Sequence, residues 1–294
     1  DANGIGDFYY PVPSGYKALC SKNLPPNVPS IIRPQKHFET LLYTGNGSNN
    51  GDNQTISSLQ FDPGFVWIKS RSASGTHHQV FDVIRSVGGD KALSTNQTIA
   101  EYNFSDFDFL NNGFNAPYSS SASYSCNTNS LTYVAWCWKA GGAAVSNSDG
   151  TITSSVSANT EAGFSIVGYT GNGTSGATVG HGLGVAPKFI ITKQRSTGGH
   201  HWRTYHATIG ATKSLYLDLS NAQSGADAGF MNNTEPTSTV FSLGDDTNLN
   251  ENGQTHIAYC FSEVAGYSKA GSYTGNGDAD GTYVHLGFRP AFLI

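Results

Sequence analysis

Apolar side chains recur along this chain at every second position. Within Phe61–Lys69 the residues Phe61, Phe65 and Trp67 fall on one face of an extended strand. Pro63 marks the entry to that strand, as Pro187 and Pro290 do in two similar segments. In Thr132–Trp138, Val134, Trp136 and Trp138 alternate with Tyr133, Ala135 and Cys137. Both faces of that segment are apolar, which predicts a central strand covered on both sides. Clusters of Asn, Gly, Ser and Asp at 46–53, 70–76, 111–113, 174–176, 196–199 and 245–253 suit turns between strands. The pattern predicts an all-β chain of tandem β-sandwich domains, of jelly-roll or lectin-like type. One stretch, 91–102, reads as a helix.

The pattern also repeats at long range. Tyr-Thr-Gly-Asn-Gly occurs at Tyr43–Gly47, Tyr169–Gly173 and Tyr273–Gly277. Each copy leads to a strand entry of one kind: Phe61-Asp-Pro-Gly-Phe-Val-Trp, Val185-Ala-Pro-Lys-Phe-Ile-Ile and Phe288-Arg-Pro-Ala-Phe-Leu-Ile. The copies start 126 (169 − 43) and 104 (273 − 169) residues apart, which is the length of a small domain and too long for a solenoid unit. The expected organisation is the tail of a preceding domain with a Pro-rich linker over 1–30, a first repeat over 31–145, and a linker or short polar hairpin over 146–160. A second repeat over 161–268 and the start of a third over 269–294 follow, so that incomplete domains stand at both ends. Repeats strung on short linkers suggest reach, multivalency or assembly.

Composition narrows the partners. Only 13% of residues are charged, against about 25% in an average domain. A net charge of −5 without Lys/Arg clusters argues against nucleic acid. No apolar run approaches the roughly 20 residues of a membrane span, so membrane insertion is not expected. Four cysteines are present, and Cys137 and Cys260 occupy one place in two repeats, in Thr132-Tyr-Val-Ala-Trp-Cys-Trp and Thr255-His-Ile-Ala-Tyr-Cys-Phe. Both read as free, buried thiols. Neither spacing nor context supports a Cys20–Cys126 disulfide, and the usage suits assembly in a reducing cytoplasm.

Two sets of residues carry a resemblance. Phe8-Tyr-Tyr-Pro-Val-Pro-Ser-Gly-Tyr-Lys-Ala-Leu-Cys-Ser-Lys-Asn-Leu-Pro resembles the closing strand and exit linker of SPRY-type β-sandwich domains in virion proteins of marine bacteriophages. Phe65–Arg71, Tyr133–Gly141, Gly180–Pro187, Ile257–Ser268 and Gly287–Phe292 are similar to an uncharacterised repeat that follows such domains. The resemblance implies a non-catalytic virion structural protein, a tail fibre or other appendage engaged in attachment to the host surface. It implies assembly in the host cytoplasm, contact with other virion proteins and a homo-oligomer, a trimer being common among phage fibres. An extracellular carbohydrate-binding module and a capsid decoration protein are the alternatives.

Glu101, Asp106 and Asp108 lack the spacing of the Glu-x-Asp-x-x-Glu strand of laminarinase-like sandwiches. No Gly-x-Ser-x-Gly elbow and no activated Cys–His pair is present. The sequence therefore offers no catalytic residue and calls for no cofactor. The pairs His77-His78 and His200-His201 sit at matching points, but no third ligand recurs, and no metal is expected. Asp246-Thr-Asn-Leu-Asn-Glu-Asn-Gly253 resembles a calcium loop with its glycine misplaced, and a hairpin loop is the favoured reading. The remaining signal is aromatic residues on loops. Trp202 and Tyr205 beside His200 and His201, and Tyr118 and Tyr124 in the first repeat, could stack on a host glycan, with neighbouring Asn, Asp and Ser binding its hydroxyls. The competing reading has them capping the sandwich core.

Overall fold

The computed structural model describes residues 31, 33–48, 54–85, 91–104 and 107–294. The expected SPRY-like tail and Pro-rich linker over 1–30, Cys20 among them, and Asp106 lie outside the described residues. The rest is all-β, with antiparallel sheets throughout. The first half carries β1 (Phe38–Thr44), β2 (Gln54–Ser57), β3 (Phe65–Ser70), β4 (Gln79–Asp82), β5 (Lys91–Ala92), β6 (Tyr102–Asn103), β7 (Phe109–Leu110), β8 (Gly113–Ala116) and β9 (Thr132–Trp138). The second carries β10 (Val145–Asn147), β11 (Ser154–Asn159), β12 (Phe164–Thr170), β13 (Thr178–Gly180), β14 (Phe189–Gln194), β15 (Arg203–His206), β16 (Leu215–Tyr216), β17 (Val240–Ser242) and β18 (Thr255–Phe261). Two single-turn helices, α1 (Ala228–Met231) and α2 (Thr247–Asn250), interrupt it. Among the described residues no helix is long and apolar enough to cross a membrane.

The two halves repeat one sheet. The first sheet runs β1-β9-β3-β4, and the seven-stranded sheet contains β12-β18-β14-β15 in the corresponding order. The register matches as well. Trp67 pairs with Trp136 where Ile191 pairs with Tyr259, and Val66 pairs with Cys137 where Ile190 pairs with Cys260. On the other side of the central strand, Tyr43 faces Tyr133 and Tyr169 faces His256. A one-residue slip would reverse every side chain, so the shared register means a shared assignment of faces.

Those faces explain the two-sided apolar strand. Tyr133, Ala135 and Cys137 point into a core of the first half with Val66, Ile68, Phe81, Phe107 and Phe114. Cys260 and Ala258 point into the equivalent core of the second half. Phe65, Trp67 and Trp138 turn the other way and meet Phe164, Ile166, Ile257 and Tyr259 in a third layer between the sheets. The phenyl ring of Phe65 lies 4.5 Å from that of Tyr259, centroid to centroid. Each central sheet thus has its own small sheets and loops on one side and its counterpart on the other. Stacking the two sheets removes from water a face that neither half could leave exposed.

Residues 146–160, read as a linker or short polar hairpin between repeats, take the hairpin form in β10 and β11. These form an antiparallel hairpin, Val145 opposite Val156, whose second strand pairs with β12 and extends the large sheet. The stretch 91–102 is not a helix. Lys91 and Ala92 pair with Asn103 and Tyr102, while Leu93 exchanges backbone hydrogen bonds with Val80. Ser94, Thr95 and Asn96 interrupt the apolar spacing, and their side chains favour turn backbone over a helix interior. Gln97 N donates to Ser94 O in just such a turn.

The Tyr-Thr-Gly-Asn-Gly motif proves to be a turn with a bracket. Gly47 and Gly173 have φ of 72° and 68°, a conformation that favours glycine. A Cβ on Gly45 would stand 2.3 Å from Thr128 O, and one on Gly171 2.5 Å from Glu251 O. The bracket is an asparagine five residues before the central strand. Asn127 Oδ1 accepts from Asn46 N at 3.0 Å, and Asn250 Oδ1 accepts from Asn172 N at 3.0 Å. The motif tyrosines donate to the residue preceding each bracket, Tyr43 to Cys126 O and Tyr169 to Leu249 O. This is work for the fold.

Candidate functional site

The six sequence candidates separate into three environments. Trp202 starts β15's approach and is fully buried in the layer between the sheets, where its Nε1 donates to Ser94 O at 2.8 Å. Tyr205 lies in the second-half core, 2% exposed, with its hydroxyl donating to Glu235 Oε2 at 2.5 Å. Neither can stack on a sugar, and both belong to the core. The turn-rich context suggested loop tips, but strand alternation carries both rings inward.

His200 and His201 are half-buried at the seam between the halves. His201 Nδ1 lies 2.8 Å from Asp218 Oδ2, and its backbone N–H donates to Asn248 Oδ1. The His200 carbonyl accepts from Lys193 Nζ at 2.7 Å, and burial pulls Lys193 down to about 8. In the first half, His78 Nδ1 accepts from Trp67 Nε1 at 2.9 Å, and burial together with Lys69 lowers His78 to about 4. The rings of His78 and His201 are thus committed to hydrogen bonds of the fold, while the His200 ring stands 3.7 Å from Glu251 Oε2. Among the described residues no group of three His, Cys, Asp or Glu could hold a metal. The calcium-like segment 246–253 is a capped single-turn helix in place of the expected hairpin. Asp246 Oδ1 accepts from Asn248 N, while its Oδ2 stands 2.9 Å from Arg203 Nη1.

Tyr118 and Tyr124 share a loop at the surface of the first half, and both are half-buried. Tyr124 lies on an open cleft of about 490 Å³, also lined by Ile99–Phe104 and Ser119. Its ring meets His77 at 4.8 Å and stands edge-on to Tyr102 at 5.5 Å. The cleft wall is tied by hydrogen bonds. Tyr102 OH is held by Gln79 and Ser94, and His77 Nδ1 lies 3.1 Å from Asn96 Nδ2. Glu101, at the cleft, is clamped by both Nε and Nη2 of Arg195, at 2.8 and 3.0 Å. A carboxylate so engaged fixes the wall. What remains for a ligand is an aromatic surface with amide and hydroxyl neighbours, the chemistry that receives a sugar ring. Residues 99–102 went unnoticed as a binding surface because the same residues read as helical. The run Ser94–Thr98 of turn-forming residues was the signal for a loop there.

Buried Asp82 and the half-buried Asp227 and Asp246 are similarly occupied. Asp82 Oδ2 accepts from Tyr259 OH at 2.7 Å and from Arg85 Nε, and Arg85 Nη1 reaches Glu101 Oε2 at 3.5 Å. Arg203 collects Asp227 and Asp246 over the ring of Tyr216.

A family model described as "Domain of unknown function (DUF7483)" matches residues 33–294, and the chain belongs to that family. Comparison with curated proteins and with solved structures returns no match.

Proposed function

We propose that this member of the DUF7483 family is part of a non-catalytic bacteriophage virion protein, a tail fibre or other appendage that attaches the particle to its host. It works as a homo-oligomer beside other virion proteins, and it takes host glycan at the cleft beside Tyr124. The observation that carries this reading is the rebuilt sheet: one strand order and one register used twice, with the two copies joined through a buried aromatic layer. A unit that stacks on its own copy makes a stiff body from one design, which suits an appendage. The pairing of Asp82, Glu101, Asp227 and Asp246 with arginines supports a structural role for those acids. The similarity of the repeats to those of marine phage virion proteins supplies the particle.

The cleft equally suits an extracellular carbohydrate-binding module, and one pair of experiments separates the readings. Antibodies against residues 33–294, imaged on intact phage particles that encode the full protein, should decorate a tail appendage. Label on the capsid surface would replace attachment by decoration, and particles without label would remove the virion assignment. On a glycan array, the chain should retain sugars that Tyr124→Ala releases. Equal binding by both would move the glycan site elsewhere.

A further inference from the structure

The cleft beside Tyr124 belongs to the first half by its lining and to the second half by its support. Ile99–Phe104, Ser119 and Tyr124, which line it, all lie in the first half. Tyr102 and Asn103 are tied to that half through β5. The residues just before them are held from elsewhere. Among the described residues, the backbone–backbone hydrogen bonds of 98–101 cross to the loop between β14 and β15. Glu101 N donates to Arg195 O at 2.8 Å, and Gly199 N donates to Thr98 O at 2.8 Å. The fork of Arg195 closes on both carboxylate oxygens of Glu101. Between these ties Gly198 lies against the wall: a Cβ on it would stand 3.6 Å from Ala100 N and 3.9 Å from Ile99 Cα.

The repeat supplies an internal comparison. Lys69-Ser-Arg-Ser72 and Lys193-Gln-Arg-Ser196 hold the same place, at the ends of β3 and β14. In the first half Lys69 Nζ closes its own loop, donating to Thr76 Oγ1 and Ser70 O, and Arg71 is exposed. In the second half buried Lys193 closes its loop on His200 O and also donates across the seam to Thr98 O at 3.4 Å. Arg195 turns wholly to Glu101 of the other half. Closing such a loop does not call for the crossing contacts, as the first half shows. Their effect falls on segment 98–101, which is the wall of the cleft.

We infer that the cleft is a joint site of the two halves, with Arg195 as its positioning residue. The 195–199 loop does not line the cleft, yet it holds the wall in the shape that receives the ligand. That ligand is the glycan of the reading above, on which its identity rests, whereas the coupling of loop and wall rests on the contacts alone. A bidentate arginine fixes both the position and the tilt of a carboxylate, which a lysine at the same place cannot do. Linkage makes the effect reciprocal: a sugar that binds only the held wall must in turn hold the loop. Occupancy of the cleft therefore tightens the seam between the halves.

The test uses the whole chain, amide exchange and a glycan array. Arg195→Ala should speed exchange at the Glu101 and Gly199 amides by roughly tenfold or more, while amides of β9 and β18 keep their rates and show that the chain is folded. Arg195→Lys should have a smaller effect, and Arg71→Ala none. The array supplies the probe, the sugar that wild type retains best and Tyr124→Ala releases. Arg195→Ala should bind that sugar roughly tenfold more weakly, Arg195→Lys should recover part, and Arg71→Ala should bind as wild type does. Added to wild type, the sugar should slow exchange at Gly199, in the half that does not line the cleft. Unchanged exchange at Glu101 and Gly199 in Arg195→Ala overturns the coupling. Full sugar binding by Arg195→Ala, with Tyr124→Ala still unable to bind, overturns the joint site and leaves the glycan reading standing. Sugar binding that Tyr124→Ala does not reduce, or no sugar retained at all, removes the glycan reading and with it the joint site as a place for a ligand.

Discussion

The hydroxyl of Tyr259, in the central strand of the second half, donates to Oδ2 of Asp82, at the end of β4 in the first, over 2.7 Å. Both side chains are buried, and Arg85 sits on the same carboxylate. The halves are thereby locked by charge as well as by the aromatic layer. Tyr259→Phe should cost about 1.5–3 kcal/mol, the loss of a buried hydrogen bond to an ionised acceptor. Asp82→Ala strands the Arg85 guanidinium away from water and should cost more, about 3–5 kcal/mol. Guanidinium titrations followed by tryptophan fluorescence check both. The wild-type chain should unfold in one transition, because Trp67, Trp138 and Trp202 all belong to the shared layer. Two separated transitions would show that the halves are not coupled.

Asn127 and Asn250 are buried and hold equivalent turns. Asn250 accepts from Asn172 N and donates to Thr174 O and Gly244 O. Asn127 accepts from Asn46 N and donates to Asn46 Oδ1. Alanine at either position leaves turn donors unpaired, and each substitution should lower stability by about 1–3 kcal/mol. Aspartate restores the acceptor and loses the amide donor, so it should recover only part of the loss. Melting curves of the four variants would decide this. A loss confined to one half would contradict the equivalence of the two brackets.

Much of this arrangement is legible in the sequence because it follows from period two. The alternation of Tyr133, Ala135 and Cys137 with Val134, Trp136 and Trp138 requires cover on two faces. What it does not say is that the second cover is the other copy of the same sheet. Apolar alternation specifies that a face is buried and leaves the partner open. That gap also let the repeats read as beads on linkers. The site was less legible. Trp202 and Tyr205 lie among turn residues, but their inward direction depends on where β15 begins, and boundaries are the weakest part of such a reading. Tyr124 sits on the cleft, whereas Tyr102 was hidden by the helical appearance of 91–102. The motif asparagines could be read as turn residues, but their brackets lie about 80 residues away and are visible only in three dimensions.

Cys126, Cys137 and Cys260 are buried free thiols. Burial pushes Cys260 up to about 12, and it raises Cys126 and Cys137 too. At pH 8 these thiols are protonated and shielded, so a thiol reagent should label them only after denaturant is added. Cys137→Ser and Cys260→Ser each place a hydroxyl in an apolar core and should destabilise by about 1–3 kcal/mol. Mass spectrometry of the alkylated native protein tests the first statement. Rapid labelling of either cysteine without denaturant would mean that the central strands open readily.

His256 gives the fold an acid limit. Its ring is fully buried and stacks on Tyr169 at 5.2 Å between centroids. The first half has Tyr133 at this position, stacked on Tyr43 at 5.1 Å, so the site was built for an aromatic ring rather than a charge. Burial lowers His256 to about 4, from an ordinary value of 6.5. In the unfolded chain the imidazole takes up its proton as the pH falls through 6.5, while in the folded chain it stays neutral until about 4. The unfolded state therefore binds more protons across that window, and stability must fall as pH drops from 6.5 to 4 and level off below. His78, also lowered to about 4, acts in the same direction. His256→Phe keeps the stacked ring and removes the titration. It should flatten the acid limb by something on the order of 3 kcal/mol between pH 7 and 4, leaving the smaller share from partly exposed His78 and other groups. Urea midpoints of wild type and variant, measured at half-unit steps over that range, should differ by a constant amount near pH 7, and below pH 6 the wild type should lose ground to the variant progressively. Parallel curves across the whole range would show that His256 is not the group that sets the limit.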